Sequence, residues 1–107
     1  QKIRSWLWQR NPFMAKYSLS NTAVDDLIRI YQYGLSIFVE KQADEYYSSF
    51  FDQFDAIASR PHSFEAVDYI KSGYRRCPSG VDTFYFRIAG DEVEIMTIIG
   101  MQDLNAL

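Results

Sequence analysis

One cysteine, one histidine and three prolines in 107 residues leave several kinds of protein out of reach. With Cys77 alone, no intrachain disulfide framework can form, which fits a reducing compartment. A lone cysteine beside a hairpin turn reads as a small strand residue rather than a nucleophile. His62 has neither a second histidine nor a paired cysteine with which to share a metal, so it reads as a solvated loop residue. There is no glycine-rich phosphate loop and no nucleophile-base pair. No run approaches the roughly 18 apolar residues that a membrane-crossing helix needs, and no signal-peptide pattern is present. Acidic residues outnumber basic ones by 14 to 11, a formal net charge of −3. A uniformly basic surface for nucleic acid is thereby excluded, though not a local patch.

What the chain does have is apolar and aromatic: 48% of its residues are hydrophobic and 17% aromatic, enough for one compact domain over residues 14–107. Residues 1–13 differ in composition, carrying Lys2, Arg4 and Arg10 without an acid and holding both tryptophans, Trp6 and Trp8. Two readings of this extension stand. It is non-native or upstream sequence before a start at Met14, or a docking segment whose Ile3, Trp6, Leu7 and Trp8 cover an apolar surface.

The C-terminal third predicts a sheet. Thr83–Ala89 and Glu92–Ile99 are rich in β-branched and aromatic residues and flank Gly90-Asp91, a two-residue hairpin signal. That turn sets Ala89 opposite Glu92, Ile88 opposite Val93, Arg87 opposite Glu94, Phe86 opposite Ile95, Tyr85 opposite Met96 and Phe84 opposite Thr97. Ahead of it, Tyr74–Cys77 is expected as a third strand. An odd loop centred on Gly80 pairs Tyr74 with Phe86 and Arg75 with Tyr85, keeping Arg75 off the buried face, and leaves Arg76 beside Phe84 at the sheet end.

Upstream, Ser20-Asn21-Thr22 offers N-caps for a first helix, with Asp25 placed to close a capping box from Thr22. Its apolar stripe is Ala23, Leu27, Ile30, Tyr31, Gly34 and Phe38. A glycine inside a helix costs about 1 kcal/mol relative to alanine, so Gly34 marks either a close helix contact or an early end. A second helix, about Val39 to Ser59, presents Ala43, Tyr47, Phe50, Phe54, Ile57 and Ala58 to the core and its acids to water. The short connection makes the pair an antiparallel hairpin. Lys16–Ser20 alternates as a short strand, and Arg60–Asp68 reads as a linker. The fold class is therefore α+β: short strand, helical hairpin, then a three-stranded antiparallel meander forming one sheet.

In this order the chain resembles ParE toxins of the RelE/ParE superfamily, the toxin half of type II toxin-antitoxin pairs. The resemblance covers Met14 to Asp103. It rests on Tyr17–Ser20 with Ala23, Asp26 and Leu27, on Ile30-Tyr31, Tyr33-Gly34, Gln42-Ala43, Tyr46, Ile57-Ala58 and Pro61, and above all on Gly73-Tyr74-Arg75, Phe84–Ile88 and Val93–Ile95. Where relatives carry an aromatic near Cys77, a histidine near Asp82 and a histidine or base in the tail, this chain has none. The resemblance implies a bacterial cytoplasmic toxin without cofactor or metal, neutralised in a hetero-oligomer by a cognate antitoxin, ParD-like or another small DNA-binding protein. It implies DNA gyrase as the target, with no membrane and no direct nucleic acid as partner, and a role in plasmid or prophage stabilisation. RelE-like members instead cut messenger RNA on the ribosome, and an inert, antitoxin-binding member is a further alternative.

Chemistry discriminates among these. Cleavage by 2′-hydroxyl attack needs a base, an acid for the leaving oxygen and cations for the phosphorane. The tail Gly100-Met101-Gln102-Asp103-Leu104 supplies neither base, cation nor phenol. Tyr85 is the remaining candidate, a poor base with an ordinary pKa of about 10. No catalytic residue is therefore assigned. The outer sheet face is instead expected to bind antitoxin or target through Arg75, Tyr85, Arg87 and Met96, with Arg76 nearby and Ile98 beside Met96. A helix followed by an extended stretch of the antitoxin is expected to cover this face and the groove beside the helical hairpin, with acids meeting Arg75 and Arg87. Arg87 is also accounted for by Glu94 within the chain.

Overall fold

The computed structural model describes residues 17–100. The extension 1–13, Lys16 of the expected first strand and the tail after Gly100 lie outside the described residues. In chain order the elements are β1 (Tyr17–Leu19), α1 (Asn21–Ile37), α2 (Glu40–Ser59), a 3-10 turn (Pro61–Ser63), β2 (Glu65–Ala66), β3 (Tyr74–Ser79), β4 (Asp82–Ala89) and β5 (Glu92–Gly100). The sheet has five strands in the order β1-β5-β4-β3-β2, with β1 parallel to β5 and the other pairs antiparallel. Both helices lie on one face, and the α+β class holds. No described helix is long and apolar enough to cross a membrane.

Helix α1 begins two residues earlier than the capping box predicts. The cap is Ser20, whose hydroxyl oxygen accepts the Ala23 N–H at 3.0 Å, in place of Thr22 with Asp25. The same hydroxyl donates to the Met96 carbonyl at 2.7 Å, and the Ser20 N–H donates to Ile95 at 3.0 Å. Ser20 wins because one residue serves both the helix end and the sheet. Ala23, Leu27, Ile30 and Gly34 are buried as expected. Phe38 is not on the stripe: it is the C-cap and 49% exposed, because the chain has already turned extended there. Gly34 marks a helix contact, since a Cβ at that position would sit 3.6 Å from Ala43 Cβ.

Tyr47, Phe50, Phe54 and Ile57 of α2 are buried in the core it shares with the sheet, and Ala43 is buried where α2 meets Gly34 of α1. Phe84 of β4 packs against Phe50 and Phe54 with ring centroids 5.1 Å away in each case, in edge-to-face geometry. Tyr17 of β1 meets Phe54 at 5.5 Å. The core closes with Leu27, Phe86, Val93, Ile95 and Ile98.

The β4–β5 register follows expectation from Ala89↔Glu92 to Phe86↔Ile95, then departs from it. A bulge makes Met96 an extra residue, so Tyr85 pairs with Thr97 and Phe84 with Ile98. Strict alternation after Ile95 would turn Thr97 inward and Ile98 outward. The bulge reverses them, and Ile98, expected on the outer face, is 1% exposed in the core. Burying such a side chain is worth about 1.5–3 kcal/mol.

The β3–β4 hairpin is also corrected. Its turn is the two-residue Gly80-Val81, with Gly80 at φ 62°, and it pairs Ser79 with Asp82, Cys77 with Phe84, Arg76 with Tyr85, Arg75 with Phe86 and Tyr74 with Arg87. This register puts Cys77 against Phe84 in the core and Arg75 on the helix-facing side. The guanidinium is not left bare there: it donates to the Phe64 carbonyl at 2.7 Å and, at longer range, to that of His62 at 3.5 Å. The linker contains a strand that was not expected, because Glu65 and Ala66 pair with Arg76 and Arg75. The antiparallel part of the sheet therefore has four strands, where the sequence reading has three.

Candidate functional site on the outer face of the sheet

Directly paired residues share a face, so the register assigns the surface turned away from the helices. One row runs Ser18, Glu94, Arg87, Tyr74, and the next runs Thr97, Tyr85, Arg76, Glu65. The loop from Val67 to Gly73 stands at the edge of this face. Its Ile70 and Lys71 N–H groups donate to the Val67 carbonyl at 2.8 and 3.1 Å. Gly73, at φ 82°, donates its N–H to Asp68 Oδ1 at 2.8 Å. Val67 is wholly buried and anchors the loop.

Between this loop, the start of α1 and the sheet lies an open groove of about 490 Å³, lined by Thr22, Ile70, Lys71, Tyr74, Tyr85, Met96, Thr97 and Ile99. Of the expected site residues, Tyr85 and Met96 line it. Tyr85 is only 4% exposed, so the neighbouring loop and strands cover most of its ring. Arg76 lies beside Tyr85 and pairs with Glu65 at 2.9 Å. Its hydrogen bonds to Glu65 and then to the Tyr85 phenol hold the guanidinium pKa above the ordinary arginine value. Arg87 pairs with Glu94 at 2.7 Å, as the register predicts. Arg75 is the misplaced member. It sits on the opposite side of the sheet, held by the carbonyls of Phe64 and, at longer range, His62.

Sequence reasoning missed Lys71, Ile70, Thr22, Tyr74 and Ile99 as groove residues. The signal available for Lys71 was its place in a Lys-Ser-Gly turn directly before a strand; the structure puts its ammonium 5.5 Å from the Tyr74 ring centroid. The groove carries no thiol, because Cys77 is buried on the helix side, where burial pushes its pKa up and keeps it protonated. Behind the core face, Asp82 is 2% exposed and accepts the Tyr46 hydroxyl. Burial, then the bond to Asp82 and its charge, push the Tyr46 phenol well above the usual tyrosine range. Among the described residues, no group of three or more His, Cys, Asp or Glu side chains is placed to hold a metal ion. The arrangement is suited to holding a partner segment, with apolar walls, hydroxyl-bearing side chains at Thr22, Tyr74, Tyr85 and Thr97, and a rim of cations, most of them already paired.

The sequence pattern of the family described as "ParE toxin of type II toxin-antitoxin system, parDE" matches residues 17–104. The chain belongs to the ParE toxin family. Toxin ParE1 of Caulobacter vibrioides is 32% identical over 93 residues, which span 87% of this chain and 95% of that toxin. Among solved structures, a chain described as "Chromosomal ParDE TA system from P. aeruginosa" superposes with a TM-score of 0.69 at 18% identity, over 79% of this chain and 94% of its own. That likeness shows the ParE-type fold. The matched span runs from the first residue of β1 beyond the end of β5, so all the elements that build the groove belong to the ParE-family domain.

Proposed function

We propose that this ParE-family chain is a toxin that binds and inhibits DNA gyrase in the bacterial cytoplasm, and that a cognate antitoxin holds it inactive in a hetero-oligomer. The family match over residues 17–104 carries the reading. The charge arrangement on the sheet favours binding over RNA cleavage. Arg76 and Arg87 are paired with Glu65 and Glu94, and Arg75 is bonded to backbone carbonyls, so an RNA phosphate would have to displace an existing partner at each of the three. The Tyr85 phenol, the one candidate base, is nearly buried beside the strand partner Arg76. The antitoxin, ParD-like or another small DNA-binding protein, covers the outer sheet face and meets Tyr85, Met96, Arg76 and Arg87, while Arg75 is accessible to it only from the sheet edge.

The test is supercoiling by purified gyrase with and without the purified chain, alongside ribosome-dependent cleavage of messenger RNA. Inhibited supercoiling that the antitoxin relieves supports the reading. Growth arrest on expression with unaffected gyrase, or ribosome-dependent cuts in messenger RNA, overturns it. Expression without any growth arrest would assign the chain to an inert, antitoxin-binding role.

A further inference from the structure

We propose that the outer-face groove seats one apolar side chain of an acidic antitoxin segment, and that Lys71 at its rim pairs with a carboxylate neighbouring that side chain. The proposal rests on the reading that an antitoxin covers this face.

Arg76 is paired with Glu65, Arg87 with Glu94, and Arg75 spends its donors on carbonyls at the other side of the sheet. Among the described residues, Lys71 forms no ion pair; its ammonium lies 5.5 Å from the centroid of the Tyr74 ring. It is exposed and lines the groove. Binding an acid at Lys71 breaks no ion pair, whereas binding one at Arg76 or Arg87 competes with an existing carboxylate. On a chain of net charge −3, an acidic partner gains no general attraction, so a single uncommitted cation fixes where its carboxylate sits and in which register.

The groove walls specify the rest of the occupant. Ile70, Tyr74, Met96 and Ile99 make them mainly apolar and aromatic. The Asp26 carboxylate, which bonds the groove residue Thr97, is already committed to that hydroxyl, the Ile98 N–H and Arg29, so it does not ask for a cation from the partner. The β-bulge supplies a second sign of a built surface: it releases Met96 from strand pairing just where that residue enters the wall. Beyond the rim, Tyr69 is 73% exposed and Ile70 37% exposed, which continues the apolar surface outward along the path of a bound segment. A volume of about 490 Å³ accommodates a leucine- or phenylalanine-sized side chain with its local backbone.

The experiment uses the full chain and the protein encoded by the adjacent reading frame, with binding measured by calorimetry at two salt concentrations. The variants are Lys71→Gln, Lys71→Glu and Met96→Glu, each checked for an unchanged thermal unfolding profile. Lys71→Gln should weaken binding about threefold and flatten its salt dependence, and Lys71→Glu on the order of tenfold. Met96→Glu should weaken it further. If Met96→Glu weakens binding while both Lys71 variants bind and respond to salt like the original, the Lys71 pairing is wrong and the face reading survives. If all three bind like the original, or the adjacent protein does not bind at all, the face reading fails and the proposal with it. A fluorescently labelled ten-nucleotide oligouridine serves as the competing occupant. Binding of that probe, lost in Lys71→Gln and displaced by the antitoxin, would overturn a peptide occupant in favour of RNA.

Discussion

The Asp26 carboxylate on α1 accepts the backbone N–H of Ile98 on β5 at 2.9 Å. The same oxygen accepts the Thr97 hydroxyl at 2.8 Å. Strand β1 stops at Leu19 opposite Ile95, so the edge of β5 beyond that point has no strand beside it. Ser20 and Asp26 take the place of the missing strand, one donating to β5 carbonyls and the other accepting its N–H.

Replacing Asp26 by alanine leaves a partly buried N–H and a hydroxyl without their acceptor. The expected cost is about 2 kcal/mol of stability, with Asp26→Asn about half as costly because its amide oxygen can still accept. Urea unfolding checks both, and faster amide exchange at Ile98 in the alanine variant identifies the site of the loss.

Arg75 and Arg87 should behave unlike each other in the same measurement. Arg75→Ala removes the donor to the Phe64 carbonyl and the stem packed beside Phe86, for about 1–2 kcal/mol. Arg87→Gln gives up an exposed ion pair with Glu94 and should cost at most about 1 kcal/mol, shrinking further in high salt. Equal losses would contradict the assignment of the two arginines to opposite sides of the sheet.

Deleting Met96 should be tolerated better than deleting any other central residue of β5. Without it, Tyr85 still pairs with Thr97 and Phe84 with Ile98, only now in regular alternation. The chain should fold with a loss of about 1–2 kcal/mol from the disturbed Ser20 contact. Cross-strand nuclear Overhauser contacts between Phe84 and Ile98 report whether the register survives, and their absence would show that the bulge is required to set it.

Stability should fall at alkaline pH by way of Tyr46. The folded chain holds this phenol protonated to higher pH than the unfolded chain, chiefly through burial and then through Asp82. The folded state therefore binds more protons above the ordinary tyrosine value of 10.0, and stability declines as pH rises past it. Below that value the contribution is fully present. Tyr47 adds to the slope in the same direction, through burial and then through Tyr31. In Tyr46→Phe the decline in urea midpoint between pH 9 and pH 11, roughly one unit either side of that value, should be shallower than in the original chain.

Much of this architecture is legible from residue patterns, and the misses share a cause. The α2 stripe from Ala43 to Ile57 repeats cleanly at helical spacing, and Arg87 opposite Glu94 locks the β4–β5 pairing near its turn. Beyond Phe86 the pattern Ile95-Met96-Thr97-Ile98 satisfies two registers, and only contacts from α1, through Ser20 and Asp26, select the bulged one. Arg75 was displaced by a similar long-range effect: the carbonyls that make its buried side acceptable come from Phe64 and His62, eleven and thirteen residues away. Strand β2 is two residues, Glu65 and Ala66, neither a strand former, and exists because β3 offers it an edge and Arg76 a partner for Glu65. The groove needs three separate segments to come together, so Tyr85 and Met96 could be found from their strands while Thr22 and Lys71 could not.

The position of β5 inside the sheet also sets an order on synthesis. It is the last of the described strands to leave the ribosome, yet β1 and the α1 cap depend on it, with Ser20 and Met96 separated by 76 residues. Until β5 emerges, β1 has no strand to pair with and the Met96 wall of the groove does not exist. At about 5–20 residues per second, the interval between the appearance of Ser20 and of Met96 is some 4–15 seconds. A toxin built this way cannot take up its working shape on a partly made chain, and truncated products lacking β5 should be harmless to the cell that makes them.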